Sequence, residues 1–423
     1  MAFSDICKIY PFDGKYVVLN PLVPSWLVTN VNGVLLLKLY AEDKSFDEIA
    51  DAFQKLAPDF PRSSAVNFLN YAREEGLFEI PAQECTYTPE NLREICLNIT
   101  DTCNLRCVYC IVAQRVEGEK FMSLDDYKNL LDEAAAINPK MSVLITGGEP
   151  LTSNLTLPVA RYARELGFTC GLLTNGTLVT EKNVDELTAV FENFSISIDG
   201  STAEIHDYYR GAGNFARAKR GVELLISRGA NVAVAMVVNR KNMHNVPEAV
   251  KLWGKRLLVQ PLFPFGNDER YDELCVTGRE YYETLANVPE LVPYVRLLPA
   301  IKFYRNERKL SKCGMGDRLL SISRSGNVYP CNNLHAPKYK LGNLFEQSLS
   351  EIYNSAANEK IKRHTVNNVD KCRDCDFKLI CGGSCRSRNF CENGDLDICS
   401  GFCEYDKNAI LNGMVKSAHF QEL

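Results

Sequence analysis

The 423-residue chain has no apolar run of the roughly 18 residues needed to span a bilayer. Its first residues, Met-Ala-Phe-Ser-Asp-Ile-Cys-Lys, lack the basic-then-apolar layout of a secretory signal. No membrane partner is therefore expected, and the protein is expected in the cytoplasm. Positive charge is also in short supply: 48 Lys and Arg against 53 Asp and Glu leave a net charge of −5, which offers no basic surface to nucleic acid. Histidine is rare, and His206, His244, His335, His364 and His419 show no paired ligand spacing, so they read as surface or core residues. Cysteine is the exception, with 17 in the chain. In a reducing compartment that number reads as metal ligands rather than disulfides. The remaining composition, 46% hydrophobic and 24% charged, is that of an ordinary globular protein long enough for two to four domains.

The cysteines are not scattered evenly. Cys103-Asn104-Leu105-Arg106-Cys107-Val108-Tyr109-Cys110 follows the apolar run Ile95 to Ile99, a pattern that fits a loop at the end of a buried strand wrapping three thiolates around one metal centre. Three ligands leave one iron of a [4Fe–4S] cluster open to a small molecule. Zinc sites, in contrast, are usually built from CxxC pairs or from CxxC with histidines. The CxxxCxxC spacing with an aromatic before the last cysteine resembles the signature of radical S-adenosylmethionine (SAM) enzymes. The resemblance makes Cys103, Cys107 and Cys110 the ligands of the catalytic cluster and places Tyr109 beside the cofactor.

From residue 95 to 298 strand-like runs alternate with helical segments: Cys96–Thr100, Val143–Thr146, Cys170–Thr174, Phe194–Ile198, Val232–Val238 and Leu257–Leu262. Six repeats predict an α/β fold, a partial (β/α)6 TIM-like barrel. Polar signatures fall just after the strands, where a parallel barrel carries its active site. Gly147-Gly148-Glu149-Pro150 offers close backbone approach and a carboxylate able to pair with an ammonium group, and in the family this motif holds the SAM amino group. Thr174-Asn175-Gly176 and the run Ser195 to Gly200, with Ser197 and Asp199, match family positions near the SAM methionine and ribose. By the same resemblance Arg210 partners the SAM carboxylate, Asn239 closes the fifth strand, and Leu262 lies beside the adenine. Taken singly, each of these motifs also reads as an ordinary turn.

Residues 1–80 read as a separate domain. Ile9 to Asn20 suggests a hairpin around Asp13-Gly14, Ser45-Phe46-Asp47-Glu48 a capping box opening a helix through Leu56, and Ser63 to Glu75 a second helix. Leu77 to Ile80 is expected as a closing strand. The pattern is winged-helix-like. Nine acidic and four basic residues over 41–80 carry the wrong sign for DNA. The segment resembles the precursor-recognition domain of peptide-modifying radical SAM enzymes, which add a leader peptide as an extra strand. A structural cap is the alternative. Residues 81–94, polar and proline-containing, read as a linker.

Residues 299–423 are dense in cysteine. Cys313, Gly326 and Cys331 are followed by Cys372-x2-Cys375-x5-Cys381-x3-Cys385 and then Cys403. The series resembles the SPASM domain, an auxiliary iron–sulfur module, although Cys372 and Cys375 also fit a zinc ribbon. In the family pattern Cys372, Cys375, Cys381 and Cys403 enclose one auxiliary [4Fe–4S] cluster, and Cys385 joins Cys313 and Cys331 on a second. Glu307 stands where some relatives place a further cysteine on that second cluster. Cys7, Cys85, Cys96, Cys170, Cys391 and Cys399 read as small buried hydrophobes. Cys275 is a candidate fourth ligand or a thiol near the substrate.

The resemblance implies an enzyme that cleaves SAM reductively, with electrons from a flavodoxin- or ferredoxin-like donor, and abstracts hydrogen from a ribosomally made precursor peptide. The expected product is a thioether from a cysteine sulfur to carbon. Carbon–carbon crosslinking and epimerisation remain open. A sulfatase-type maturase forming formylglycine is a further alternative, although those relatives carry Asp where this chain has Asn332. A non-catalytic iron–sulfur scaffold is the reading from another class.

Overall fold

In the computed structural model, residues 1–81, 91–112, 120–264, 269–286, 288 and 311–417 are described. Glu307, Cys85, His419 and most of the 81–94 linker lie outside them. The chain divides into two compact units, one of residues 1–87, 297–313 and 365–423, the other of residues 88–296 and 314–364. The N-terminal segment thus shares a unit with most of the C-terminal cysteines. Residues 314–364, which the sequence groups with those cysteines, belong to the unit of the alternating strands.

The first unit is built on an antiparallel sheet of β1 (Lys8–Phe12), β2 (Lys15–Asn20) and β3 (Ser25–Thr29), in that order. Phe12 pairs with Lys15 across the two-residue turn, and Asp13 and Gly14 adopt φ of 48° and 72°. Two consecutive positive φ angles make the tight turn that matches strand twist, which is why Asp-Gly marks it. The expected capping box is formed: Ser45 Oγ accepts from Glu48 N at 3.2 Å, and Glu48 Oε2 accepts from Ser45 N at 2.8 Å, opening the helix Phe46–Leu56. A second helix spans Arg62–Glu74. The closing strand expected at Leu77–Ile80 is not one. The Leu77 carbonyl accepts from Asn20 Nδ2 at 3.0 Å and the Glu79 carbonyl from the same nitrogen at 2.8 Å, so side chains take the groups a ladder would use. The third strand is β3, whose side chains are all buried. The long C-terminal helix Cys403–Ser417 packs against all three strands.

The second unit carries a nine-stranded sheet. Its parallel centre is β4 (Glu94–Thr100), β5 (Ser142–Gly147), β6 (Thr169–Thr174), β7 (Asn193–Ser197), β8 (Asn231–Val238) and β9 (Leu257–Pro261), side by side in chain order. These are the six expected strands, moved by two residues or fewer at most ends. Connecting helices such as Leu124–Ile137, Thr156–Glu165 and Asn214–Ser227 bury one apolar stripe each. Beyond β4 the sheet continues through β10 (Leu319–Ile322), parallel to β4, and then antiparallel β11 (Asn327–Tyr329) and β12 (Gly342–Asn343). The sheet is open, and β4 is an interior strand with a neighbour on each side. Near-continuous apolar runs in β4 and β8 suit strands covered on both faces.

Candidate active site

The polar signatures meet at the C-terminal ends of β4 to β9, around a cavity of about 250 Å³. Its walls include the thiol-bearing loop with Cys103, Cys107, Tyr109 and Cys110, together with Gly147, Gly148, Thr174, Asn175, Ser197, Arg210 and Leu262. Eleven of the fourteen residues expected at the catalytic site therefore face one space. The three thiols are neither fully buried nor free in solvent. Cys103 Sγ accepts from Leu105 N at 3.3 Å and from Asn175 Nδ2 at 3.9 Å, and Cys107 Sγ accepts from Arg210 Nη1 at 3.9 Å. Burial pushes the Cys103 and Cys107 thiols up, and the bonds from Leu105 N and Asn175 and the charge of Arg210 oppose that rise. Donors aimed at sulfur on a short loop are the surroundings a thiolate ligand needs, so these residues fit an iron–sulfur cluster.

The loop is pressed against the end of β5. Gly148 N donates to Thr100 O at 2.6 Å and Glu149 N to Thr102 O at 2.8 Å. A Cβ on Gly147 would come within 2.3 Å of Thr100 O, and one on Gly148 within 2.4 Å of Thr102 O, so only glycine permits this approach.

Three expected cofactor residues sit under the cavity rather than on its wall. Glu149 is fully buried, and its carboxylate accepts from Leu151 N at 3.0 Å, Thr174 Oγ1 at 2.7 Å and Asn175 N at 2.8 Å. It braces the ends of β5 and β6. Asp199 is also fully buried. It pairs with Arg210 Nε, while its other oxygen accepts from Val237 N at 3.0 Å. Asn239 accepts from the Tyr209 hydroxyl at 2.8 Å. Beneath Asp199 lies His206, whose Nδ1 accepts from Asp199 N at 3.2 Å. Its pKa is pushed down to about 4, first by burial and then by Arg210.

Sequence reasoning did not place five further residues of the lining, although it noted Asn332 as the position where sulfatase-type relatives carry Asp. Asn98, Thr146, Gln260, Asn332 and Asn333 all line the cavity. Asn98 Nδ2 donates to Ser321 Oγ at 3.0 Å and to Asn332 Oδ1 at 3.1 Å, and Ser321 Oγ lies 2.8 Å from His335 Nε2. Asn332 and Asn333 follow β11, a strand invisible as part of this sheet from its short run. Among the described residues lining the cavity Arg210 is the sole cation, and Asp199 already engages it. Cys275 packs with Tyr109, Tyr209, Leu262, Tyr271 and Leu274.

The other compact unit holds most of the C-terminal cysteines. Cys372 and Cys399 share one small apolar cluster with Val366, Val369 and Leu379, and Cys403 packs against it. Cys375 accepts a backbone bond from Phe377, and Cys381 accepts from Gly383 and Ser384. Cys313 and Cys385 belong to this unit and Cys331 to the other, where Cys331 Sγ accepts from Asn333 N at 3.5 Å. Cys399 is buried in this apolar cluster, where the sequence expects a small buried hydrophobe.

Residues 97–252 match the radical SAM superfamily, and residues 313–376 match the iron–sulfur cluster-binding SPASM domain. An AdoMet-dependent heme synthase of Methanosarcina barkeri is 30% identical over 74% of this chain and 96% of its own length. The chain belongs to the radical SAM superfamily. Other relatives of this radical SAM protein include the subtilosin biosynthesis protein AlbA of Bacillus subtilis, 27% identical over 75% of this chain and 72% of its own. The mycofactocin maturase MftC of Mycolicibacterium smegmatis is 26% identical over 72% and 81%. Among solved structures, anSMEcpe with bound AdoMet covers 77% of this chain and 98% of its own at a TM-score of 0.65 and 19% identity. Streptococcus suis SuiB bound to precursor peptide SuiA covers 95% and 99% at 0.56 and 15%. Radical SAM membership brings a [4Fe–4S] cluster and SAM, and the SPASM domain brings auxiliary iron–sulfur clusters. Among the described residues no helix is long and apolar enough to cross a membrane.

Proposed function

We infer that this radical SAM/SPASM enzyme modifies a ribosomally made precursor peptide, joining a cysteine sulfur to a carbon as a thioether. Cys103, Cys107 and Cys110 hold the catalytic cluster. The Gly147-Gly148 backbone, Thr174, Asn175, Ser197, Arg210 and Leu262 border SAM, and Glu149, Asp199 and Asn239 support them. Cluster and SAM together supply, on one-electron reduction, a 5′-deoxyadenosyl radical that takes hydrogen from carbon. The protein's own residues supply position and exclusion of water. Arg210, fixed by Asp199, presents a cation to the SAM carboxylate, and Leu105, Val237 and Leu262 close the space with apolar surface.

The observation that carries the substrate class is the wall of Asn98, Thr146, Gln260, Asn332 and Asn333. Carboxamides and a hydroxyl pair with peptide amides, which need both donors and acceptors. A porphyrin with several carboxylates, as the heme synthase relatives suggest, calls for several cations, and the one cation described on the wall, Arg210, is already assigned to the SAM carboxylate. The formylglycine reading is weakened by Asn332, because a carboxamide takes no proton where a carboxylate does. Residues 1–80 would hold the leader, the 95–298 segment would carry the chemistry, and a cytoplasmic flavodoxin or ferredoxin would deliver electrons. Carbon–carbon crosslinking and epimerisation are the competing products.

The test is to incubate reconstituted enzyme with SAM, dithionite and the cysteine-containing peptide encoded nearest to it. A thioether product has lost two hydrogen atoms and one alkylatable thiol by mass spectrometry. An unchanged mass with deuterium uptake would mean epimerisation, and conversion of an iron coproporphyrin under the same conditions would overturn the peptide reading.

A further inference from the structure

Cys381 and Cys385 are joined by Gly382-Gly383-Ser384, and all three residues of this turn adopt left-handed backbone, with φ of 66°, 77° and 60°. Among the described residues Ser384 is one of two non-glycine residues with positive φ, the other being Asp13 in the hairpin turn between β1 and β2. A residue with a side chain stays in that region only when its surroundings hold it there. Arg386, 1% exposed, does so from beneath. Its Nη1 donates to the Gly383 carbonyl and to Ser384 O at 3.4 Å, and its Nη2 donates to Gly382 O at 3.2 Å. The fit is close. A Cβ on Gly383 would lie 2.5 Å from Nη1 and 2.6 Å from Nη2, so the guanidinium occupies the space that any other residue at 383 would fill. From the far side Ser384 Oγ donates to Asp406 Oδ2 at 3.0 Å, which ties the turn to the helix Cys403–Ser417.

Consecutive residues of one hand form a single helical turn, in which carbonyls point to one end and N–H groups to the other. Arg386 gathers the carbonyl end, so the N–H end is turned away from it. Gly382 N serves the preceding helix by donating to Lys378 O at 2.9 Å, which leaves Gly383 N and Ser384 N as the donors that the turn offers between the two cysteines. Successive N–H groups in a turn make a concave site for anions, iron–sulfur clusters among them. The placement of Arg386 points the same way. It is the first residue of the helix Arg386–Asn393, where the helix dipole disfavours a cation, and its charge is withdrawn from water. Both costs fall when an anion lies across the turn.

We propose that Arg386 is a positioning residue for the auxiliary iron–sulfur clusters: by clamping the carbonyls of Gly382, Gly383 and Ser384 it turns the N–H groups of this turn toward the cluster side and sets the directions in which Cys381 and Cys385 leave it. The inference rests on the reading of those two cysteines as auxiliary ligands. Arg386 acts through the backbone, whose hydrogen bonds to cluster sulfurs orient the ligands and tune the cluster. Lysine is no substitute, because a single ammonium lacks the planar fork that reaches three successive carbonyls.

Full-length protein with Cys103, Cys107 and Cys110 replaced by alanine isolates the auxiliary iron. In that background Arg386→Met, Arg386→Lys, Gly383→Ala and Cys381→Ala are compared after anaerobic reconstitution, by iron and sulfide content, by electron paramagnetic resonance of the reduced proteins and by unfolding midpoint. Arg386→Met removes the guanidinium and Gly383→Ala displaces it, so each is expected to lose at least half of the iron. Arg386→Lys retains a buried cation and is expected to keep its iron and its midpoint while its resonance signal changes. Full iron with an unchanged signal in Arg386→Met overturns the clamp. If Arg386→Met loses its fold together with its iron, Arg386→Lys decides: an altered signal supports the clamp, and a signal identical to the parent's reduces Arg386 to support of the fold and overturns it. Full iron and an unchanged signal in Cys381→Ala would overturn the ligand assignment and the proposal with it, whereas iron loss there with none in Arg386→Met overturns the clamp alone.

Discussion

Removing the Glu149 carboxylate from water costs several kcal/mol, and three donors from two strand ends offset that cost. Both oxygens accept, so an isosteric amide cannot replace them. Glu149→Gln turns an NH2 group toward a backbone N–H that now has no acceptor, a loss of about 1–3 kcal/mol. Because the same bonds set the ends of β5 and β6, SAM affinity should fall together with thermal stability; an unchanged midpoint and an unchanged calorimetric Kd would show that the brace is unimportant. His206 gives a second residue-scale prediction. Its pKa is about 4 in the fold against an ordinary 6.5, set by burial and Arg210 and only partly countered by Asp199 and Asp207. The unfolded chain takes up the proton first, so the contribution is intact above pH 6.5 and is lost progressively toward pH 4, about 3 kcal/mol in all. His206→Gln, which cannot titrate, should flatten that part of the stability profile between pH 6.5 and 5, measured by thermal unfolding. An equally steep variant would place the acid sensitivity elsewhere.

At the scale of elements, much was legible because the chemistry was local. Asp13-Gly14, Ser45 with Glu48, and Gly147-Gly148 each encode a geometry in adjacent residues, and each is found. The six parallel strands were readable from their apolar runs. What failed was what partners decide. Leu77 to Ile80 has the composition of a strand, but Asn20, distant in sequence, claims its carbonyls. β3 lies between Pro24 and Asn30, and its five residues gave too short a run to announce a third strand. The same limit hid the cavity wall contributed after β11. One contact of β1 carries its own prediction: the Tyr10 hydroxyl donates to Asp376, the neighbour of Cys375, and its ring lies 4.8 Å from that of Phe377. Tyr10→Phe keeps the ring and removes a bond to a carboxylate, so a loss of about 1.5–3 kcal/mol is expected. The unfolding midpoint measures it, and a midpoint equal to wild type would show that the hydroxyl adds nothing.

At the scale of the whole molecule, the division into compact units changes what a truncation can report. The sequence suggests that residues 1–80 detach at the linker, leaving the rest intact. Yet the helix that begins at Cys403 packs against β1, β2 and β3, and Tyr10 meets Asp376 and Phe377 within the same unit. Deleting the sheet strips apolar cover from that helix, at roughly 25 cal/mol for each Å² exposed, and leaves the cysteine-bearing turns without one of their supports. The cavity residues around Cys103, Cys107 and Cys110 all belong to the other unit. A chain lacking residues 1–80 should therefore cleave SAM under strong reductant while losing both leader affinity and auxiliary iron. Iron analysis beside a SAM cleavage assay separates the outcomes. Full iron with lost leader binding would restore the picture of a detachable recognition domain, and loss of SAM cleavage would show that the sheet supports the catalytic loop as well.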